Sequence, residues 1–159
     1  MIVVADTSPL SNLHGIGRLA LVQRLFGEVI VPPLVAEELA DPAGPFPLDV
    51  RVLPWIRVVG PQTAYSSVRG DVLDEGEVQA IAVALEVAAD RILVDDLEAR
   101  VEARRLGLRV LGLLGVLVMA KLGGLLSSVR DVIEELQAKT SFRMSTEIID
   151  EVLRKAGEA

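Results

Sequence analysis

The chain contains no cysteine, which excludes disulfides, thiolate chemistry and cysteine-rich zinc sites, and which fits a cytoplasmic location. Aromatic residues make up only 3% of the sequence, so few side chains are available for stacking on bases. The longest uncharged apolar run, residues 110–120, is too short to span a bilayer. No basic and apolar signal segment precedes Asp6. We therefore expect no membrane location.

Positive charge is also scarce, because 16 Lys and Arg residues stand against 23 Asp and Glu residues and give a net charge of -7. This balance argues against a broad, nonspecific coating of nucleic acid, which needs a basic footprint. The 159 residues are 51% hydrophobic, enough for one domain with a sizeable core. We expect a single domain over residues 1–159, with residues 127–159 as a C-terminal helical extension.

Short apolar runs alternate with helical patterns along the chain. "IVVA", "EVIV" and "RILV" each precede a polar turn and a helix-like segment, and "LRVL", residues 108–111, predicts a further strand. Residues 41–47 and 60–71 have the composition of loops, and the tail from residue 144 predicts a final amphipathic helix. This alternation is typical of a parallel sheet with crossover helices.

Acidic side chains follow the predicted strands. Asp6 comes directly after the first strand, and Asp95 and Asp96 come directly after "RILV". In an open α/β sheet, ligands bind at the carboxyl ends of the strands. On the helices that follow, helical periodicity makes Glu38 the inward-facing acid of "VPPLVAEELA" and places Glu77 on the apolar face of its helix. These acids are candidates for one shared site.

Each acid also has a simpler interpretation as a helix cap. Two pairs have the spacing of a capping box, Asp74 with Glu77 and Asp95 with Glu98. Asp6 or Asp96 could each cap the following helix alone. Against this, like charges about 4 Å apart repel by roughly 4 kcal/mol at an effective dielectric of 20. No Lys or Arg lies within five residues of Asp6 or Glu77. A hard divalent cation, Mg²⁺ or Mn²⁺, is the simplest counter-charge for oxygen-only ligands.

Four segments, in this order and spacing, resemble the PIN domain superfamily: "VVADTSPL", "VPPLVAEEL", "LDEGEVQAIAVALE" and "ILVDDLEAR". The resemblance covers nearly the whole chain and is closest to a PIN-like branch related to VapC-type toxin ribonucleases. It implies a three-layer α/β fold with a central, mostly parallel sheet flanked by helices. It also implies a metal-dependent endoribonuclease with an acidic quartet, which falls on Asp6, Glu38, Glu77 and Asp96.

The resemblance further implies that Thr7 or Ser8 supports the first acid. This chain departs from many members at two positions, since Glu77 stands where they have aspartate and Val94 stands where they have a hydroxyl residue. Spacing in the superfamily favours Asp96 as the fourth acid. The residues alone do not separate it from Asp95, which remains a further candidate metal ligand.

Substrate contacts require local positive charge. Arg100 and Arg104 share a helix face and could bind phosphate, or they could belong to a solvated face balanced by Glu98 and Glu102. With so few aromatic residues, we expect recognition of RNA shape rather than of base sequence. His14, the only histidine, is expected to be structural or at the surface.

Two partners are expected besides an RNA substrate. The helix in "LGLLGVLVMAKLGGLL" is more apolar than one buried face requires, which predicts a homodimer surface or a surface covered by the terminal helix. A toxin ribonuclease would also have an antitoxin protein in its acidic groove. The alternative function is a noncatalytic protein-interaction or nucleic-acid-binding module in which the acids serve as caps.

Overall fold

The computed structural model describes residues 1–63 and 67–159, so part of the predicted loop 60–71 lies outside the described residues. Its centre is a five-stranded sheet in which every strand pairs in parallel, in the order β3-β2-β1-β4-β5. The strands are β1 (Val3–Ala5), β2 (Val29–Val31), β3 (Ile56–Val58), β4 (Arg91–Leu93) and β5 (Val110–Leu111). The predicted parallel sheet is confirmed.

The helices of the described residues flank this sheet. They are α1 (Thr7–Gly15), α2 (Ala20–Phe26), α3 (Pro33–Ala40), α4 (Glu75–Glu86), α5 (Leu97–Arg105), α6 (Leu113–Leu122), α7 (Val129–Lys139) and α8 (Thr146–Lys155). A 3₁₀ turn, Val50–Val52, precedes β3. None of the helices within the described residues is long and apolar enough to cross a membrane.

The sheet separates two apolar cores, which gives the predicted three-layer α/β fold. Successive side chains of a strand point to opposite faces. Val3 and Ala5 accordingly join the larger core with α1, α2, α3, α6, α7 and α8, whereas Val4 joins the smaller core with α4 and α5. Because both faces are covered, β1 and β2 are apolar throughout, and all of their residues are buried.

The apolar helix α6 is covered within the chain. It packs against α2, α7 and α8, and Leu113, Leu117 and Ala120 are fully buried. Glu158, just past α8, accepts hydrogen bonds from the backbone amides of Val129 and Arg130 and thereby ties the end of the chain to the start of α7. The sequence predicted either a homodimer surface on this helix or a surface covered by the terminal helix, and in the structure α7 and α8 cover it.

The topology places one crevice at the centre of the sheet. The strands β1, β2 and β3 lie side by side in chain order, and β4 lies on the other side of β1. Ala5 pairs with Leu93, so the residues after β1 and β4 leave the sheet at the same level. Ligands in open α/β sheets bind at such a reversal of strand order.

Candidate active site

An open cleft of about 700 Å³ lies at the carboxyl ends of β1 and β4. Seven carboxylates line it, namely Asp6, Glu38, Asp41, Asp74, Glu77, Asp95 and Asp96. The structure therefore brings all the predicted acids to one place. It adds Asp41 and Asp74, which sequence reasoning did not assign to the site.

Asp6 is the acid that local structure explains least. It occupies the N-cap position of α1, yet its side chain makes no capping hydrogen bond, and the residue is only 6% exposed. Burial raises the pKa of Asp6 to about 8; the Thr7 amide opposes this, and the charges of Glu77, Asp74 and Glu38 add to it. The capping interpretation is therefore wrong for Asp6.

Glu77 and Asp74 form the capping box that their spacing predicts. The Glu77 amide donates to Asp74 Oδ1 at 2.7 Å, and the Asp74 amide donates to Glu77 Oε1 at 3.0 Å. Glu77 is nevertheless only 7% exposed, and burial raises its pKa to about 7. The bond from the Asp74 amide lowers this pKa, whereas repulsion from the charges of Asp74 and Asp96 raises it further. This pair caps α4 and also contributes negative charge to the cleft.

Thr7 supports a different acid from the one the resemblance implies. Its hydroxyl Oγ1 donates to Glu38 Oε2 at 2.8 Å. Thr7, at the start of α1, therefore orients the side chain of Glu38 on α3. Glu38 is exposed to the cleft rather than buried, although it lies on the predicted side of α3. Ser8 also lines the cleft, where its Oγ accepts a 3.5 Å hydrogen bond from Asn12 Nδ2.

The adjacent acids Asp95 and Asp96 have different surroundings. Asp95 Oδ1 accepts a 2.8 Å hydrogen bond from the Leu113 amide, and burial raises the pKa of Asp95. Asp96 is exposed, and its Oδ2 accepts a 3.0 Å capping bond from the Ala99 amide. The predicted capping box from Asp95 to Glu98 is therefore wrong, because α5 begins one residue later than that box requires.

Val94, where many superfamily members have a hydroxyl residue, is 1% exposed. It packs in the smaller core with Ala99 and Ala103. It does not line the cleft in this chain.

The two arginines predicted to bind substrate do not line the acidic cleft. Arg100 is half-buried in a second cleft of about 380 Å³, beside Asp95 and Gly112, and Arg104 is exposed and lines neither cleft. The predicted solvated face is wrong for Glu102, which is 7% exposed. The burial of its carboxylate is compensated by hydrogen bonds, since Arg105 Nε donates to it at 2.6 Å and the Arg69 amide donates at 2.7 Å.

Arg143 is a cleft residue that sequence reasoning missed. It lies between α7 and α8, 137 positions after Asp6 in the sequence. Within the described residues it is the one cationic side chain that lines the acidic cleft. The only signal in the sequence was its place near the start of the final helix, and that signal does not indicate a contact with β1.

The chemistry of the cleft fits a hard divalent cation. Most of the polar atoms that line it are carboxylate and hydroxyl oxygens, and mutual repulsion contributes to the raised pKa values of Asp6 and Glu77. In the described part of the chain, no three acids are arranged to hold one ion simultaneously. Ligation by three carboxylates therefore requires side-chain movement, for which the exposed Glu38 and Asp96 have room.

Comparison with known proteins places the chain in a family. A family model described as DUF3368, PIN domain, matches residues 2–158. A solved structure of a PilT N-terminus domain protein from the hyperthermophilic archaeon Sulfolobus solfataricus is similar in fold, with a TM-score of 0.52 and 16% identity over 91% of this chain and 98% of that chain. No curated protein matches. The chain therefore belongs to the PIN domain family.

Proposed function

We propose that this protein is a metal-dependent endoribonuclease that hydrolyses RNA phosphodiester bonds in the acidic cleft. Its ion would be Mg²⁺ or Mn²⁺, held by Asp6, Glu38, Glu77 and Asp96, with Asp95 as a further candidate ligand. The proposal depends on Asp6, a buried carboxylate without a capping bond whose pKa is raised to about 8. A buried acid without structural use, surrounded by other acids, indicates a site for a cation.

The side chains of the cleft would divide the work by their surroundings. Asp6 directly follows β1, and Glu77 lies in the first turn of α4, so these two acids would form the fixed part of the ion site. Glu38 would be oriented by the Thr7 hydroxyl, and Asp96 would close the site from α5. The bound ion would supply positive charge to the scissile phosphate and to the attacking water.

The fourth acid would be Asp96 rather than Asp95. One oxygen of the Asp95 carboxylate, Oδ1, accepts from the first amide of α6, and the group lies beside Arg100. Asp96 is exposed in the cleft, and its charge already acts on Glu77. This assignment agrees with the spacing of the superfamily.

The test is cleavage of a labelled, structured RNA with Mn²⁺, with Mg²⁺ and with chelator. Wild type is compared with Asp6→Asn and with a matched control, Asp150→Asn, which makes the same change on an exposed face of α8. Metal-dependent cleavage that Asp6→Asn loses and Asp150→Asn retains is the expected result. Equal cleavage by all three proteins would indicate a contaminating nuclease and would contradict the proposal.

A second candidate is a noncatalytic interaction module that retains the PIN fold. It is favoured by the capping bonds of Asp74, Glu77 and Asp96, which give three of the acids a structural use. Metal binding separates the two candidates, because a module with capping acids has no need of an ion. Titration with Mn²⁺ would then raise the thermal unfolding midpoint no more in wild type than in Asp6→Asn.

The predicted partners are part of the proposal. An antitoxin in the acidic cleft would present cationic side chains to its carboxylates, and release of that partner would be necessary before RNA could enter. A homodimer stays a prediction, but the apolar helix α6 no longer supports it because α2, α7 and α8 cover that helix within the chain. Light scattering on the purified chain measures the molar mass that decides this.

A further inference from the structure

Arg143 lies in a loop that the core holds in place. Thr140 and Phe142 are 8% and 7% exposed, respectively. Thr140 Oγ1 donates to the Leu136 carbonyl at 2.6 Å and accepts from the Phe142 amide at 3.1 Å. The loop therefore has little freedom where it meets the acidic cleft, and it carries Arg143 to a fixed position at the edge.

The guanidinium of Arg143 is oriented by its own loop. Its Nη1 donates to the carbonyls of Thr140 at 3.0 Å and Phe142 at 2.6 Å. Within the described residues, Nε and Nη2 have no hydrogen-bond partner, and no carboxylate forms an ion pair with the side chain. The edge formed by Nε and Nη2 is the fork that binds two oxygens of a phosphate.

This arrangement matters because the cleft repels its proposed substrate. Seven carboxylates and one guanidinium line the cleft, whereas RNA carries one negative charge per nucleotide. The ion at the acids would compensate only the phosphate under attack. A neighbouring phosphate needs its own cation, and Arg143 is the cationic side chain that the described cleft provides.

We infer that Arg143 is a substrate-positioning residue that binds, through its Nε and Nη2 edge, a backbone phosphate adjacent to the scissile one. The inference rests on the proposed function for the identity of the substrate as RNA. The planar fork fixes both the position and the orientation of that phosphate. Arg143 therefore sets the register of the strand relative to Asp6.

The test measures steady-state cleavage and the binding of a short, labelled, single-stranded RNA by fluorescence anisotropy in Mg²⁺. Probe integrity is checked on a gel after each titration. The variants are Arg143→Ala, Arg143→Lys and Arg143→Gln, where Gln keeps an amide donor for the loop carbonyls without the charge. Arg24→Ala is the matched control, because Arg24 is exposed on α2 and lies outside both clefts.

We expect Arg143→Ala and Arg143→Gln to raise KM and the probe Kd about tenfold, because a charge-assisted contact is lost. The value of kcat should also decrease, because the strand loses its register relative to Asp6, and Arg143→Lys should recover only part of the affinity. The slope of log Kd against log salt should decrease by about 0.7, as for one lost phosphate contact on a single strand. A purely structural role for Arg143 would not change that slope.

The outcomes separate this inference from the proposed function. Wild-type probe affinity in both Arg143→Ala and Arg143→Gln overturns the inference, while metal-dependent cleavage lost in Asp6→Asn still supports the nuclease. An equal loss of affinity in Arg24→Ala also overturns it, since net charge would then explain the effect. Conversely, cleavage that survives Asp6→Asn beside a selective loss of binding in the Arg143 variants contradicts only the nuclease proposal.

Discussion

Replacing Asp6 with asparagine should stabilise the metal-free chain. Burial and neighbouring carboxylates raise the pKa of Asp6 from 3.8 to about 8. Between these values the folded chain retains a proton that the unfolded chain releases, so the free energy of unfolding decreases as the pH rises from about 4 to about 8. At about 1.4 kcal/mol per pKa unit, the penalty at pH 7 has an upper bound of about 4 kcal/mol.

The assay is urea denaturation with a chelator, at several pH values between about 5 and 8. Asn has nearly the shape of Asp but does not ionise, so Asp6→Asn should exceed wild type by about 1–4 kcal/mol at pH 7. The difference between the two proteins should widen as the pH rises. Adding Mn²⁺ should raise the stability of wild type more than that of Asp6→Asn and narrow the difference.

Asp150→Asn is the control for this experiment, because it removes the same charge from an exposed position. It should change stability by no more than about 0.5 kcal/mol at any of these pH values. The reasoning is refuted if Asp6→Asn is no more stable than wild type at pH 7 in chelator, or if the difference does not vary with pH. Either result would mean that Asp6 ionises in the fold at no cost.

Two further substitutions test the Glu102–Arg105 ion pair and the hydrogen bond from Thr7 to Glu38. Glu102→Gln should lower the free energy of unfolding by about 1–2 kcal/mol at neutral pH in urea titrations, because the Arg105 pair holds the pKa of Glu102 at about 2 and Arg105 is partly solvent-screened. This difference should vanish as the pH falls from 4.5 towards 2; a constant difference would contradict the ion-pair origin. Thr7→Val should weaken Mn²⁺ binding about 10–100-fold in calorimetry, because Glu38 loses its orienting hydroxyl. Unchanged affinity would exclude that role.

The fold was largely predictable because buried parallel strands leave a strong pattern. In the runs that contain β1, β2, β4 and β5, a charged residue occurs at most at or just before the first residue of the strand, and each run is followed by a turn and a helix. The strand β3 was not predicted. It lies at the edge of the sheet, where Arg57 is exposed and ion-pairs with Glu28, so the run is interrupted by charge. Edge strands follow the pattern of buried strands poorly.

The site was predictable only where its residues follow strands or lie on regular helix faces. Asp6 and Asp96 were placed by the strand ends, and Glu77 by its position on the apolar face of α4. The partner of the Thr7 hydroxyl depends on how α1 and α3 pack, which the sequence pattern does not specify. Arg143 depends on the path of the whole C-terminal extension, so no local spacing could have connected it to the cleft.

The acidic cleft lowers the stability of the folded chain, and this loss is the reason to assign the cleft a function. Capping bonds explain why Asp74 and Asp96 are acidic, since each satisfies an amide at the start of a helix. Asp6 makes no capping bond, although the adjacent Thr7 amide lowers its pKa, and it is buried directly after a strand whose residues belong to the apolar cores. A side chain that cannot ionise would avoid the cost of holding either a proton or a charge at this position, which is favourable to folding at neutral pH. A bound cation reverses that balance, and the stability of Asp6→Asn with and without Mn²⁺ therefore measures the feature on which the nuclease proposal depends.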